Sequence, residues 1–253
     1  MMNIMNYPLV IFVCSLVGLW AAGRFGALLR KRSTLERDDS HDLDFVTGSV
    51  LTLLGLLIGF SFSMAVSRYD QRKNYEEEEA NAIGTEYVRA GLLPADTAAP
   101  VRQLLSQYLQ QRILFYTTRG DSQLDQINAE TSRLQNEMWS RVESAAVVQP
   151  TPVMATVVTG MNDVLNRQGY TQAAWWNRIP IDVWGLMGTI ALGCSALIGF
   201  AVHRPRGAVF LILPLAVSIS FLLIADIDSP RGGLIRVIPQ NLNSLSQSMP
   251  PPK

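Results

Sequence analysis

Four apolar runs, each as long as a membrane-crossing helix, constrain this 253-residue chain more than any other feature. A bilayer's hydrocarbon core needs about 20 apolar residues in a helix. The runs extend from Pro8 to about Leu29, from about Phe45 to Val66, from Ile181 to Val202, and from Ala208 to about Ile227. Lipid offers the backbone no hydrogen-bond partner, so these segments must bond internally, and they are too long for barrel strands. The expected class is all-α: an integral membrane protein with four transmembrane helices. No Lys or Arg precedes the first run, so it reads as a retained span rather than a signal peptide, whose first region should be basic.

Between the second and third runs the chain is polar but periodic. The expected organisation is a transmembrane hairpin over 1–67, a helical water-facing domain over 68–180, a second hairpin over 181–228 and a tail over 229–253. Arg68 to Ala90 should carry the second span into water, ending near Gly91 and Pro94. Pro100 suits the first position of a helix reaching Thr118, packed through Leu104, Leu105, Tyr108, Leu109 and Leu114. Arg119-Gly120-Asp121 reads as a turn and cap. The next helix, to about Val148, places Leu124, Ile127, Leu134, Met138 and Val142 on one face. A last helix, Val153 to Trp176, leads towards the third span. No alternating strand pattern occurs, so the domain is expected to be wholly helical. Trp175, Trp176 and Trp184 suit the headgroup level. Ser244 to Lys253 is Ser/Pro-rich and reads as disordered.

The charge balance, 21 basic against 21 acidic residues, gives no support for nucleic-acid binding. Cys14 and Cys194 both lie in apolar runs and read as small buried hydrophobes rather than a disulfide. His41 and His203 lack Cys partners, so no metal site is expected. There is no Gly-rich phosphate loop or nucleophile elbow, and the reading is of a non-enzyme without a cofactor.

The second span holds the informative motifs. Gly55, Gly59, Ser63 and Ser67 recur every fourth residue, a small-residue stripe for close helix packing within the monomer or between subunits. Thr52, Leu56, Phe60 and Met64 form a neighbouring stripe. Around a symmetry axis it would make apolar rings of the kind that gate by dewetting; in a single chain it would face lipid or core. The Glu76-to-Glu79 run reads as a solvated face with Arg72 and Lys73 as i+4 neighbours rather than a cation site. Asp226 and Asp228 stand near a helix C-terminus, where carboxylates oppose the macrodipole and want a cation. Arg231 is the nearest, giving a capping ion pair or an ion-handling site.

Gly59-Phe60, Arg68-Tyr69, Arg72-Lys73, Asn81 and Arg89 together resemble the second span of bacterial bestrophins. The runs Glu79-Ala80-Asn81-Ala82-Ile83-Gly84-Thr85 and Asp226 to Arg236 resemble a bacterial membrane family described as bestrophin-like. The chain departs from the bestrophin pattern at Thr52, at Ser61-Phe62-Ser63 and at Tyr69-Asp70. The resemblance implies an oligomeric, anion-conducting channel in a bacterial inner membrane. Thr52, Leu56 and Phe60 would be its pore-lining candidates, and Gly55, Gly59 and Ser63 its helix-packing residues. The lipid bilayer and further copies of the chain would be its partners. The competing class is a non-conducting scaffold or sensor whose insert binds a protein partner. Arg30, Lys31, Arg32 and Arg37, with Arg204 and Arg206, put the short turns in the cytoplasm and the insert outside. The resemblance places the insert in the cytoplasm.

Overall fold

In a computed structural model, which describes residues 7–32, 39–201 and 209–249, eight α-helices follow one another with no strand among the described residues. They are α1 (Pro8–Arg32), α2 (Asp39–Arg89), α3 (Ala95–Thr117), α4 (Asp121–Val148), α5 (Pro152–Trp176), α6 (Ile181–Ala201), α7 (Val209–Asp228) and α8 (Gln240–Ser248). Arg37 and the basic turn from His203 to Gly207 lie outside the described residues. Four helices are long and apolar enough to cross a membrane: α1, the first part of α2, α6 and α7. The chain divides into two compact units, Met1–Tyr69 with Arg178–Arg236, and Asp70–Asn177 with Val237–Lys253.

The first unit is built on the four spans. Leu19 of α1, Leu54 of α2, Met187, Ala191 and Cys194 of α6, and Val217 and Phe221 of α7 make one buried cluster. Between α1 and α6 the backbones nearly touch. A Cβ at Gly26 would fall 1.9 Å from the Ala196 carbonyl oxygen, and one at Gly199 would fall 1.9 Å from that of Gly23. Glycine is required here because close packing holds helices together where water exclusion cannot. Cys194 is buried as expected, whereas Cys14 is exposed on α1.

The second unit packs α3 on α4, α4 on α5 and α8 on α3. The expected face of α4 is inside: Leu124, Ile127, Leu134, Met138 and Val142 are all buried. Thr151 caps α5 through its hydroxyl, which accepts from the Met154 amide at 3.1 Å, with Pro152 at the first helical position.

Four expectations need correction. Helix α3 starts at Ala95, not Pro100, because the Pro94 carbonyl already accepts from the amides of Thr97 and Ala98 and so nucleates the helix earlier. Of its expected packing residues Leu114 is exposed, while Phe115 and Tyr116 are buried. Trp175 does not sit on a polar surface; it is buried against Phe115 and Tyr116, with ring centroids 4.9 and 5.4 Å away. Finally, part of the tail expected to be disordered is helical in α8. The cause is a carboxylate from α2, described next.

Candidate functional site

Helix α2 has a buried edge that recurs at alternating steps of three and four residues. In its apolar half that edge holds Leu54, Ser61 and Ala65, with Ile58 partly buried between them. The remaining circumference faces away from the other spans. Leu56 and Phe60 are 53% and 60% exposed, and Thr52 is exposed with them. The Thr52 hydroxyl donates to the Gly48 carbonyl at 2.8 Å, so its polarity is spent inside the helix. Gly55, Gly59 and Ser63 form the adjoining exposed stripe, and a Cβ at Gly55 or Gly59 would meet nothing within 4 Å. Among the described residues, neither stripe is filled by the protomer's own spans.

In the polar half the same edge carries charge. Arg72, Glu76, Glu79, Ile83, Glu86 and Ala90 are all buried. This overturns the reading of Glu76 to Glu79 as a solvated face: Glu77 is exposed and Glu78 partly so, but Glu76 and Glu79 turn inward. A burial step of three to four residues must divide any four-residue run in this way.

Arg72, Glu76 and Glu79 each have a defined partner. Arg72 donates from Nε to the Ala174 carbonyl at 3.1 Å and from Nη2 to that of Asn177 at 3.2 Å, placing a cation at the carbonyl end of α5. Glu76 does the converse for α8. One of its oxygens accepts from the Leu242 amide at 2.9 Å and the other from the Asn241 side chain at 2.7 Å, capping the helix N-terminus in trans. Leu245 of α8 packs over Gly84, where a Cβ would approach it to 3.0 Å. The helix is therefore held at both its amide end and its apolar face.

Glu79 is paired with Nε of Arg112 on α3, and both side chains are fully buried. Its second oxygen accepts from the Tyr116 hydroxyl at 3.3 Å and the Thr171 hydroxyl at 3.2 Å. The Arg112 guanidinium lies 4.4 Å from the centroid of the Phe115 ring. Burial opposes the Arg112 charge, but Glu79 and the tyrosines hold it above the ordinary arginine range. Burial, with the Glu79 charge beside it, also pushes the Tyr108 and Tyr116 hydroxyls up, so both stay protonated donors.

Glu86 differs from these. It is fully buried, yet neither carboxyl oxygen has a hydrogen-bond partner. Burial pushes its pKa up to about 8, with Arg89 pulling down and Asp163 pushing up. Glu86 stands seven residues after Glu79 on the same edge, so heptad spacing was the signal that could have found it.

Asp226 and Asp228 serve the chain's own backbone. Asp226 accepts from the amides of Leu234 and Ile235 at 2.7 and 2.8 Å, closing the turn after α7. A Cβ at Gly233 would fall 2.3 Å from the Asp226 carbonyl oxygen, so glycine is needed at that turn. Asp228 accepts from the Ile179 amide at 3.1 Å and pairs with Arg68 at 3.5 Å. Sequence proximity pointed to Arg231 as the partner; Arg68, 160 residues away, also supplies a cation.

These features define a helical membrane protein whose second helix runs on past its apolar segment and carries inward-facing charge. A family model for the bestrophin-like domain matches residues 9–242, nearly the whole chain, and the protein belongs to that family. No curated protein matches it. Among solved structures, single-residue variants of a bacterial bestrophin homolog from Klebsiella pneumoniae share the fold. One superposes with a TM-score of 0.63 at 13% identity, covering 95% of this chain and 98% of the other. The same homolog solved by zinc phasing gives 0.58 at 14% identity, covering 98% and 100%. At such identities the likeness speaks for the fold alone.

Proposed function

We propose that the protein is an oligomeric, bestrophin-like membrane channel, with α2 lining the pathway and anions as the permeant species. The observation that carries this reading is the unfilled circumference of α2. Leu56 and Phe60 leave more than half of their large apolar side chains uncovered by the described residues, beside a glycine stripe that leaves the backbone open to a neighbour. In a closed ring of copies, one stripe can meet the next subunit while the other faces the axis. Thr52 suits such a face because its hydroxyl is already bonded to the helix. Rings of Leu56 and Phe60 would hold the passage narrow and dry, so the barrier to an ion is the loss of its hydration shell. The choice of anions follows from family membership. Conductance in planar bilayers tests the proposal: Leu56→Ala with Phe60→Ala should widen the ring, admit water and raise the current. If purified, folded parent and variant both stay silent across salts and pH, the chain is a non-conducting scaffold and the proposal is wrong.

A further inference from the structure

A cavity of about 320 Å³ opens between one stripe of α2 and one stripe of α5. That volume lies at the small end of ligand pockets, which span roughly 300–1,000 Å³. From α2 come Asn81, Thr85 and Arg89 at four-residue steps, and from α5 come Gly160 and Asp163. At one side Arg167 and Glu78 neutralise each other in an ion pair at 2.5 Å. The remaining charges are one guanidinium, Arg89, and one carboxylate, Asp163. Among the described residues neither is held in a hydrogen bond or ion pair.

Gly160 lines the cavity, and Glu86 lies behind it, outside the lining. A Cβ there would fall 2.0 Å from a Glu86 oxygen and 2.6 Å from Nη1 of Arg89, so only glycine lets both groups converge on that point. The Glu86 carboxyl is fully buried and both its oxygens lack partners. Its place is behind the lining, against Gly160 and Arg89. Asp163 is one turn further along α5, displaced by about 4.5 Å of helix rise, and its carboxylate is exposed. The site therefore has a donor end, Arg89, and an acceptor end, Asp163 with the Thr85 hydroxyl and the Asn81 amide oxygen.

From this polarity we infer that the cavity binds a small zwitterion bearing a carboxylate and an ammonium a few bonds apart, the chemistry of a small α-amino acid. The carboxylate is received by Arg89, and the ammonium by Asp163 and Thr85. The lining has no net charge to attract a simple ion: Glu78 pairs with Arg167, and Arg89 balances Asp163.

The inference is independent of whether α2 conducts, and its test is a binding measurement. The purified full-length protein in mild detergent is titrated with glycine or L-alanine, and separately with methylamine or acetate, while thermal unfolding and binding heat are followed. Glycine should bind saturably and raise the melting temperature, and methylamine and acetate should not match it. Arg89→Ala and Asp163→Asn should each weaken binding roughly tenfold or more, since each removes a hydrogen bond to a charged group. Asp163 is exposed, so Asp163→Asn should melt like the parent without ligand and decides the matter if Arg89→Ala fails to fold. Stabilisation by acetate alone or by methylamine alone would replace the zwitterion with a simple ion site. No binding of any of them, or glycine binding untouched by Asp163→Asn, would overturn the inference.

Discussion

The two halves of α2 follow one burial rhythm with opposite chemistry. In the apolar half the inward edge is Leu54, Ser61 and Ala65; in the polar half it is Arg72, Glu76, Glu79 and Glu86. Among the described residues the apolar half packs through apolar side chains and leaves two stripes uncovered. The polar half grips α3, α5 and α8 by charge-assisted bonds to helix ends and to one buried guanidinium. In lipid, apolar contact does not separate a neighbouring helix from a hydrocarbon tail, so shape has to choose the partner. In water, burial supplies the drive, and directed charges can fix which helix meets which. A fully buried ion pair is weak evidence of net stability, but its geometry is unforgiving once one partner is lost.

That contrast can be broken most forcefully at Glu79. Glu79→Ala strands Arg112 in the core without its counter-charge, and losses of about 3–5 kcal/mol are typical of a broken buried pair. Circular dichroism melting in detergent should show early loss of the helical unit. Replacing Glu79 and Arg112 together by apolar residues of similar size should recover much of it.

A smaller effect is expected from acidity. Folded Glu86 holds its proton to about pH 8, whereas in the unfolded chain it releases it near the ordinary value of 4.5. The folded state thus binds the extra proton inside that window, and raising the pH across it removes stability. Arg89 and Asp163, the charged groups acting on Glu86, set the folded value but not the sign. Melting temperature plotted against pH should fall from about 4.5 to 8 in the parent, and the slope should flatten in Glu86→Gln.

Smaller again is the loss of the trans cap. Glu76→Ala removes the acceptor for the Leu242 amide, and caps are worth about 0.5–2 kcal/mol. Helix α8 should detach before the rest unfolds, exposing the bond before Leu245 to limited proteolysis while the main melt moves little.

The least effect on the protomer is expected from Gly59→Leu, because nothing lies within 4 Å of a Cβ there. It should melt like the parent but, in the oligomer proposed above, elute as a smaller species on size-exclusion chromatography. Gly199→Leu is the counter-case: its side chain would collide with the Gly23 backbone and disrupt the fold itself. If Gly59→Leu keeps the oligomer, the stripe is a lipid face.

Much of the fold was legible because the signals were local. A run of about 20 apolar residues in lipid can be little else but a helix. The 3.6-residue repeat in α4 placed five side chains inside correctly, since one amphipathic helix carries its own record of what it buries. The glycines were ambiguous for the opposite reason. A glycine every fourth residue marks α2 as open to close approach, but the contact is made by Gly23, Gly26 and Gly199, whose partners lie far off in the chain. Spacing reveals a helix's surface and not what meets it.

The charged run from Glu76 to Glu79 shows the same boundary. Its composition reads as solvated, and only the packing of α3, α5 and α8 around α2 selects which two of the four carboxylates turn inward. Residue order alone fixes the four apolar helices, the helical insert and the buried face of α4, because hydrogen bonding and periodicity act within a few residues. Tertiary structure alone decided that Glu76 folds a tail otherwise too polar to order, that Glu79 meets Arg112, and that Glu86 is left over a glycine beside Arg89. Those outcomes depend on where distant helix ends and side chains come to lie, and an electrostatic partner leaves no mark at a fixed distance along the chain.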